Sequence, residues 1–76
     1  MSKGENMKIF KLYRITSTGE KEWLHIRGLQ YLWEKGNYAG TSFSSLNKAL
    51  KCKEKYLINF HFPSFQIYIA KIFLKD

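Results

Sequence analysis

The stretch "TSFSSLNKALKCKEKYL", residues 41–57, carries the clearest periodicity in this chain. Its apolar side chains recur at helical spacing and fall on one side: Leu46, Ala49, Leu50, Tyr56 and Leu57. Ser42 or Ser44 is placed to cap the first turn, because a serine oxygen accepts a hydrogen bond from a free backbone amide there. The pattern predicts an amphipathic helix that packs on the rest of the domain through its apolar side.

The opposite side of this predicted helix carries lysines spaced three and four residues apart, Lys48, Lys51 and Lys55. Like charges at that spacing repel mildly, and a position toward the helix C-terminus offsets part of the repulsion through the helix dipole. The lysines therefore allow two interpretations, a contact surface for phosphates or the solvated back of a helix. The second needs no ligand and is favoured.

The segment before this helix reads as a β-hairpin. In "MKIFKLYRIT", residues 7–16, the side chains of Phe10 and Leu12 point one way and that of Tyr13 the other. "EWLHIR", residues 22–27, alternates in the same manner, with Leu24 and Ile26 opposite Trp23, His25 and Arg27. The polar, glycine-containing turn "STGEK" joins the two predicted strands.

Two further segments complete the predicted fold. Residues 28–42 are compatible with a short helical turn or with an extension of the sheet, and Gly36 and Gly40 mark a loop. "FQIYIAKIFLKD", residues 65–76, is rich in β-formers and apolar on both faces. Because such a strand promotes aggregation at an exposed edge, we expect it inside the sheet, beside the first strand.

The predicted fold class is α+β, a small ββαβ domain. It has a three- to four-stranded, mostly antiparallel sheet with one helix packed on one face. Residues 7–76 form the single domain that a chain of 76 residues allows, and residues 1–6 are expected to be a flexible N-terminus.

Composition narrows the classes of partner. The formal net charge of +7 favours acidic partners, either nucleic acid or an acidic protein surface. One cysteine, Cys52, cannot form an internal disulfide. No apolar leader opens the chain and no run of about 20 apolar residues occurs, so we expect a cytoplasmic protein that does not enter membranes.

Catalytic and metal chemistry is not expected. The candidate ligands His25, His61 and Cys52 are isolated from one another in the sequence, with no paired motif. The carboxylates are scattered, most of them in turns or termini, whereas acid–base catalysis requires positioned groups. We therefore expect no enzyme activity, no metal and no cofactor.

A first hypothesis is that the protein binds another protein. Aromatic residues crowd the centre of the chain, and Trp23, Tyr31 and Tyr38 with Arg27 are typical interface anchors. An exposed aromatic patch rimmed by basic residues is a docking surface. Self-association as a homodimer through the same patch is an ordinary alternative.

A second hypothesis is nucleic-acid binding. Lys48, Lys51 and Lys55 would contact phosphates. On the sheet, the side chains that would stack on bases are Arg14, Arg27, Trp23 and Tyr13. No recognised nucleic-acid-binding signature is present, so this binding would be generic.

One family resemblance bears on these hypotheses. The opening "MKIFKLYRI", the glycine followed by "TSFSSLNKALK", and the closing β-rich run resemble small uncharacterised accessory proteins of tailed phages. The similarity covers about half of the chain. It implies a non-catalytic protein of a host cell's cytoplasm that binds a host protein or defence complex and inhibits it. The resemblance assigns no site residues.

Overall fold

The structure is a computed structural model that describes residues 7–36, 39–61 and 63–74. Five elements follow one another along the chain: strands β1 (Lys8–Ile15), β2 (Lys21–Arg27) and β3 (Gln30–Glu34), helix α1 (Leu46–Asn59) and strand β4 (Tyr68–Phe73). The strands form one sheet in the order β3-β2-β1-β4, and every neighbouring pair is antiparallel. The predicted α+β class, a small antiparallel sheet with one helix, is confirmed.

Strand β3 comes from the segment for which the sequence left two interpretations open. It pairs with β2 along its whole length, from Arg27 opposite Gln30 to Trp23 opposite Glu34. Gly28 has φ +62, a left-handed conformation that glycine adopts without strain, and it makes the tight turn between the two strands. The sheet therefore begins with a three-stranded meander.

The sequence predicts that the last strand lies beside the first strand and inside the sheet, and only the first of these two predictions is confirmed. Strand β4 lies beside β1, with Leu12 opposite Ile69 and Tyr13 opposite Tyr68. The expectation that it lies inside the sheet is wrong, because β4 forms one edge. The physical reason is that β2 and β3 extend the sheet only on the other side of β1, so that within residues 7–36, 39–61 and 63–74 no strand lies on the far side of β4.

Helix α1 covers the face of the sheet that carries Phe10, Leu12 and Leu24. These side chains form the buried core with Ala49, Tyr56 and Ile67. The apolar side of the helix is narrower than its sequence suggests. Leu46 and Leu50 are 48% and 40% exposed, while Cys52 is half-buried against the core. The helix therefore packs through Ala49, Cys52, Tyr56 and Leu57.

The N-cap of α1 is Ser45, not Ser42 or Ser44. Its backbone is extended, and its hydroxyl oxygen accepts a hydrogen bond from the backbone amide of Lys48 at 3.2 Å. The hydroxyl of Ser44 instead lies 3.1 Å from the Lys48 ammonium at the surface. Adjacent serines thus have different roles, which local sequence cannot distinguish.

This difference gives a paired prediction. Ser45→Ala removes the cap and should lower the free energy of unfolding by about 1 kcal/mol. Ser44→Ala removes only a surface contact and should change it by less than about 0.5 kcal/mol. Urea denaturation of both variants checks the pair, and equal losses would contradict Ser45 as the cap.

Residues 39–43 form a wedge between β1 and β2. The two strands pair directly only near their turn, from Tyr13 opposite Trp23 to Ile15 opposite Lys21. Farther along, Phe43 exchanges two backbone hydrogen bonds of 2.8 Å with Phe10. On the other side, the Thr41 amide donates to the Leu24 carbonyl at 2.9 Å and the Thr41 hydroxyl accepts from the Ile26 amide at 2.8 Å.

The wedge therefore satisfies backbone groups that the diverging strands leave unpaired, and it joins the meander to α1. Separately, the helix in the described part of the chain is too short and too polar to cross a bilayer.

Candidate functional site

The face of the sheet opposite α1, here called the open face, carries a row of three aromatic rings. Trp23 of β2, Tyr13 of β1 and Tyr68 of β4 lie side by side because they occupy neighbouring register positions on three adjacent strands. The centroid of the Tyr13 ring is 5.2 Å from that of Trp23 and 5.4 Å from that of Tyr68, on which it stacks. We call these three residues the aromatic row.

Two lysines approach the aromatic row from the same face. The Lys21 ammonium lies 4.5 Å from the centroid of Tyr13 and 5.3 Å from that of Trp23, and its side chain is exposed. Lys11 is only 7% exposed and donates a hydrogen bond of 2.9 Å to the Ala39 carbonyl. Lys11 therefore anchors the wedge, whereas Lys21 is accessible to an anionic partner.

The rim of the open face combines an exposed cation with a weak ion pair. Arg27 is exposed at the end of β2, on the same face as Trp23. Between them, the Nδ1 atom of His25 lies 3.7 Å from a carboxylate oxygen of Glu34 on β3, a contact that is an ion pair only when the histidine is protonated. The structure thus brings together Trp23 and Arg27, two of the four residues predicted to bind a protein.

Tyr31 lies on the opposite face of the sheet from Trp23. Its ring packs edge-on against Tyr56 at 5.4 Å and Phe60 at 5.7 Å, beneath α1. Trp33 occupies the same face and donates a hydrogen bond of 3.0 Å from its indole nitrogen to the Tyr56 hydroxyl. Tyr38, the fourth predicted residue, lies outside the described residues. The predicted single patch of Trp23 with Tyr31 does not form.

Arg14 lies on the core side of the sheet and contacts two aromatic rings and a carboxylate there. Its guanidinium carbon lies 4.7 Å from the ring centroids of both Trp33 and Phe65, and a guanidinium nitrogen is 2.8 Å from a carboxylate oxygen of Glu22. These contacts occupy the charge and the flat faces of the side chain. The structure therefore places Arg14 away from the aromatic row and among structural partners.

The helix lysines Lys48, Lys51 and Lys55 are all exposed. They lie on α1, on the other side of the sheet from the aromatic row. The expectation that the helix dipole offsets their repulsion is wrong, because α1 runs on to Asn59 and its last turn has no basic residue. The residues proposed for nucleic-acid binding thus fall into two sets, with the base-stacking rings on one side and these lysines on the other.

A second concave surface lies between α1 and the β2–β3 turn. Lys55, Tyr31, Phe43 and Cys52 line this groove of about 310 Å³, and Leu29 stands at its rim with 97% of its surface exposed. Burial raises the pKa of the Cys52 thiol, and the nearby Lys55 opposes this only in part. Cys52 is therefore a half-buried thiol whose surroundings disfavour the thiolate form.

Sequence reasoning missed Tyr68 and Lys21 as members of the site. Alternation places Lys21 on the same side of β2 as Trp23, so this membership was readable from residues 21–27. Tyr68 could not be assigned in this way, because alternation within β4 does not show which face of β4 lies on the same side of the sheet as Tyr13. Only the pairing of β4 with β1 decides this.

Metal binding finds no support in the described residues: across residues 7–36, 39–61 and 63–74, no three His, Cys, Asp or Glu side chains converge. Comparison with known proteins found no matching family model, no matching curated protein and no matching solved structure.

Proposed function

We propose that this protein binds single-stranded nucleic acid on the open face of its sheet. The observation that carries the proposal is the aromatic row, Trp23, Tyr13 and Tyr68, with the Lys21 ammonium beside it. Unpaired bases stack on aromatic side chains presented by a flat sheet, and each stacked base contributes about 1–3 kcal/mol. A duplex keeps its bases stacked on one another and offers no ring to this surface.

Charge supports the same proposal. Lys21 and Arg27 are exposed on the open face, where each can contact a phosphate. The net charge of +7 attracts a polyanion from any direction. Since backbone and stacking contacts carry no base code, the binding would be generic, with a preference for single strands.

We also propose that the protein acts by binding and not by catalysis. Three of the four carboxylates in the described residues already lie beside a basic side chain: Glu22 with Arg14, Glu20 with Lys35, and Glu34 near His25. Both partners of the Glu20–Lys35 pair are at the surface, where it lowers the pKa of the glutamate and raises that of the lysine. The cytoplasm of a host cell is the setting that we propose for this activity.

Fluorescence anisotropy of labelled single-stranded RNA, single-stranded DNA and the matching duplex tests the proposal. We expect Lys21→Glu to weaken single-strand binding by about tenfold, because it replaces a phosphate contact with a repulsive charge. Binding by the unchanged protein should fall as salt rises, with a slope of about −0.7 for each phosphate contacted on a single strand.

Lys51→Glu is the matched control, since it makes the same change in net charge on exposed helix surface. It should weaken binding by about twofold at most, through the long-range field alone. A larger effect from Lys51→Glu than from Lys21→Glu would move the site to the helix lysines Lys48, Lys51 and Lys55. Equal affinity for the duplex would contradict stacking on the aromatic row.

A second candidate is a host protein or defence complex that the chain binds and inhibits, as the resemblance to phage accessory proteins implies. The exposed Leu29 beside the apolar groove that contains Tyr31 favours this candidate. Trp23 with Arg27 would serve an acidic protein surface equally well. No nucleic-acid binding in the anisotropy experiment would make this candidate the leading one.

A further inference from the structure

We propose that two copies of this chain pair antiparallel along the outer edge of β4, with Ala70 of each copy at the two-fold axis. The inference rests on the edge position of β4 and on its composition. It does not depend on the nucleic-acid proposal, because the pairing uses the strand edge and not the open face. The dimer would join two four-stranded sheets into one continuous sheet.

The backbone of β4 has hydrogen-bonding groups directed away from the sheet. The Leu74 amide donates to the Met7 carbonyl at 3.1 Å, which marks this pair as hydrogen-bonded. Bonding alternates along an antiparallel ladder, so Ile72, Ala70 and Tyr68 also bond to β1. Phe10, opposite Lys71, agrees, since its own amide and carbonyl bond to Phe43 on the other side of β1.

The amide and carbonyl groups of Ile69, Lys71 and Phe73 therefore point outward from the edge of β4. An outward row of unpaired groups is the template to which another strand adds.

Side chains at this edge favour a strand of the same kind. Phe73, on the face of β4 toward α1, is 65% exposed, and Tyr68, on the open face, is 41% exposed. Lys71 is the one charged residue among residues 68–74 of a chain with net charge +7. With one charged side chain in seven residues, this edge keeps the electrostatic repulsion between two copies small.

Charge also selects the register. Centring the pair on Lys71 would set two ammonium groups directly opposite, which is destabilising. Centring it on Ala70 sets Lys71 of each copy opposite Ile69 of the other, and Tyr68 opposite Ile72. The smallest side chain of β4 then lies at the axis, where a non-hydrogen-bonded pair brings the side chains closest.

This arrangement is closed, because an antiparallel pair of identical strands has a two-fold axis and uses each β4 edge once. The axis runs perpendicular to the sheet, so both helices lie on one side and both open faces on the other. One strand pair buries less area than the about 1,600 Å² of a standard interface, so we expect a weak dimer with a dissociation constant in the micromolar range.

A cysteine cross-link tests the register directly. In a Cys52→Ser background, Ala70→Cys places two thiols across the axis, with Cα atoms about 4.5 Å apart in such a pair and within the range of a disulfide. We expect a covalent dimer on mild oxidation. Ile72→Cys in the same background is the matched control on the same face, and it should cross-link poorly because it lies opposite Tyr68. Equal or stronger cross-linking of Ile72→Cys would overturn the register.

A proline substitution tests the edge itself. Lys71→Pro removes an outward amide while leaving the bonds between β4 and β1, so the fold should persist by circular dichroism. Lys71→Ala is its control, since it removes the charge and keeps the amide. By sedimentation equilibrium up to about 100 µM, we expect Lys71→Ala to approach twice the monomer mass of 9.0 kDa and Lys71→Pro to remain at the monomer mass. A monomeric unchanged protein over this range, or a dimer unaffected by Lys71→Pro, would overturn the proposal.

Discussion

Leu12→Ala is expected to lower the free energy of unfolding by about 2–5 kcal/mol, the usual loss for truncating a buried leucine. Leu12 is fully buried and lies in the middle of β1, an inner strand of the sheet. Its side chain points toward α1, so the substitution leaves a cavity between the sheet and the helix. A domain of this length has a stability of roughly 4–11 kcal/mol, so the loss is a large part of the total.

Urea denaturation followed by circular dichroism measures the effect. Ile15→Ala is the matched control, because Ile15 ends the same strand and is 43% exposed. We expect this control to lose less than about 1 kcal/mol, since its methyl groups are already partly hydrated. If both variants lose the same free energy, the core does not lie between β1 and α1 as described.

Gly40→Ala is expected to destabilise the domain by about 3 kcal/mol in total. Gly40 has φ +97, a conformation that costs a residue with a side chain about 1–3 kcal/mol. An added Cβ would also lie 2.8 Å from the Cβ of Trp23, and relieving such overpacking costs about 1–3 kcal/mol more. The wedge cannot simply move away, because Thr41 is hydrogen-bonded to β2 on one side and Phe43 to β1 on the other.

Gly19→Ala separates the two contributions. Gly19 has φ +89 in the β1–β2 turn, but a Cβ there would have no atom within 4 Å. Gly19→Ala should therefore lower the free energy of unfolding through backbone strain alone. Gly40→Ala should lower it by about 1–3 kcal/mol more than Gly19→Ala does. Thermal and urea unfolding of the two variants give this difference, and the absence of a difference would show that the wedge does not pack against Trp23.

Much of the local structure could be predicted from the sequence, because it depends on neighbours close along the chain. Alternation in residues 7–16 and 22–27 identified β1 and β2 and assigned Leu12 and Leu24 to apolar faces. Helical spacing identified α1, although the cap and the width of the buried side were missed. The fold class followed from the order of these elements.

Only part of the candidate site could be predicted from the sequence. Alternation along a strand assigns each residue to one face of that strand, but it does not show which faces of different strands form a common surface. Trp23 and Arg27 were correctly placed together on β2. Tyr31 was grouped with Trp23 because it is aromatic and near in sequence, yet β3 turns it beneath α1. The sequence predicts that Arg14 stacks on bases, but its guanidinium lies over the rings of Trp33 and Phe65, which come from distant segments.

By itself, then, the sequence determined the strands, the helix, the net positive charge and the alternation that divides each strand into two faces. Only the tertiary structure decided that Tyr68 joins Tyr13 and Trp23, that residues 39–43 separate β1 from β2, and that β4 is an edge. The physical reason is the range of the interactions. Periodicity and capping act over a few residues, whereas strand order and register depend on hydrogen bonds between segments far apart in the chain.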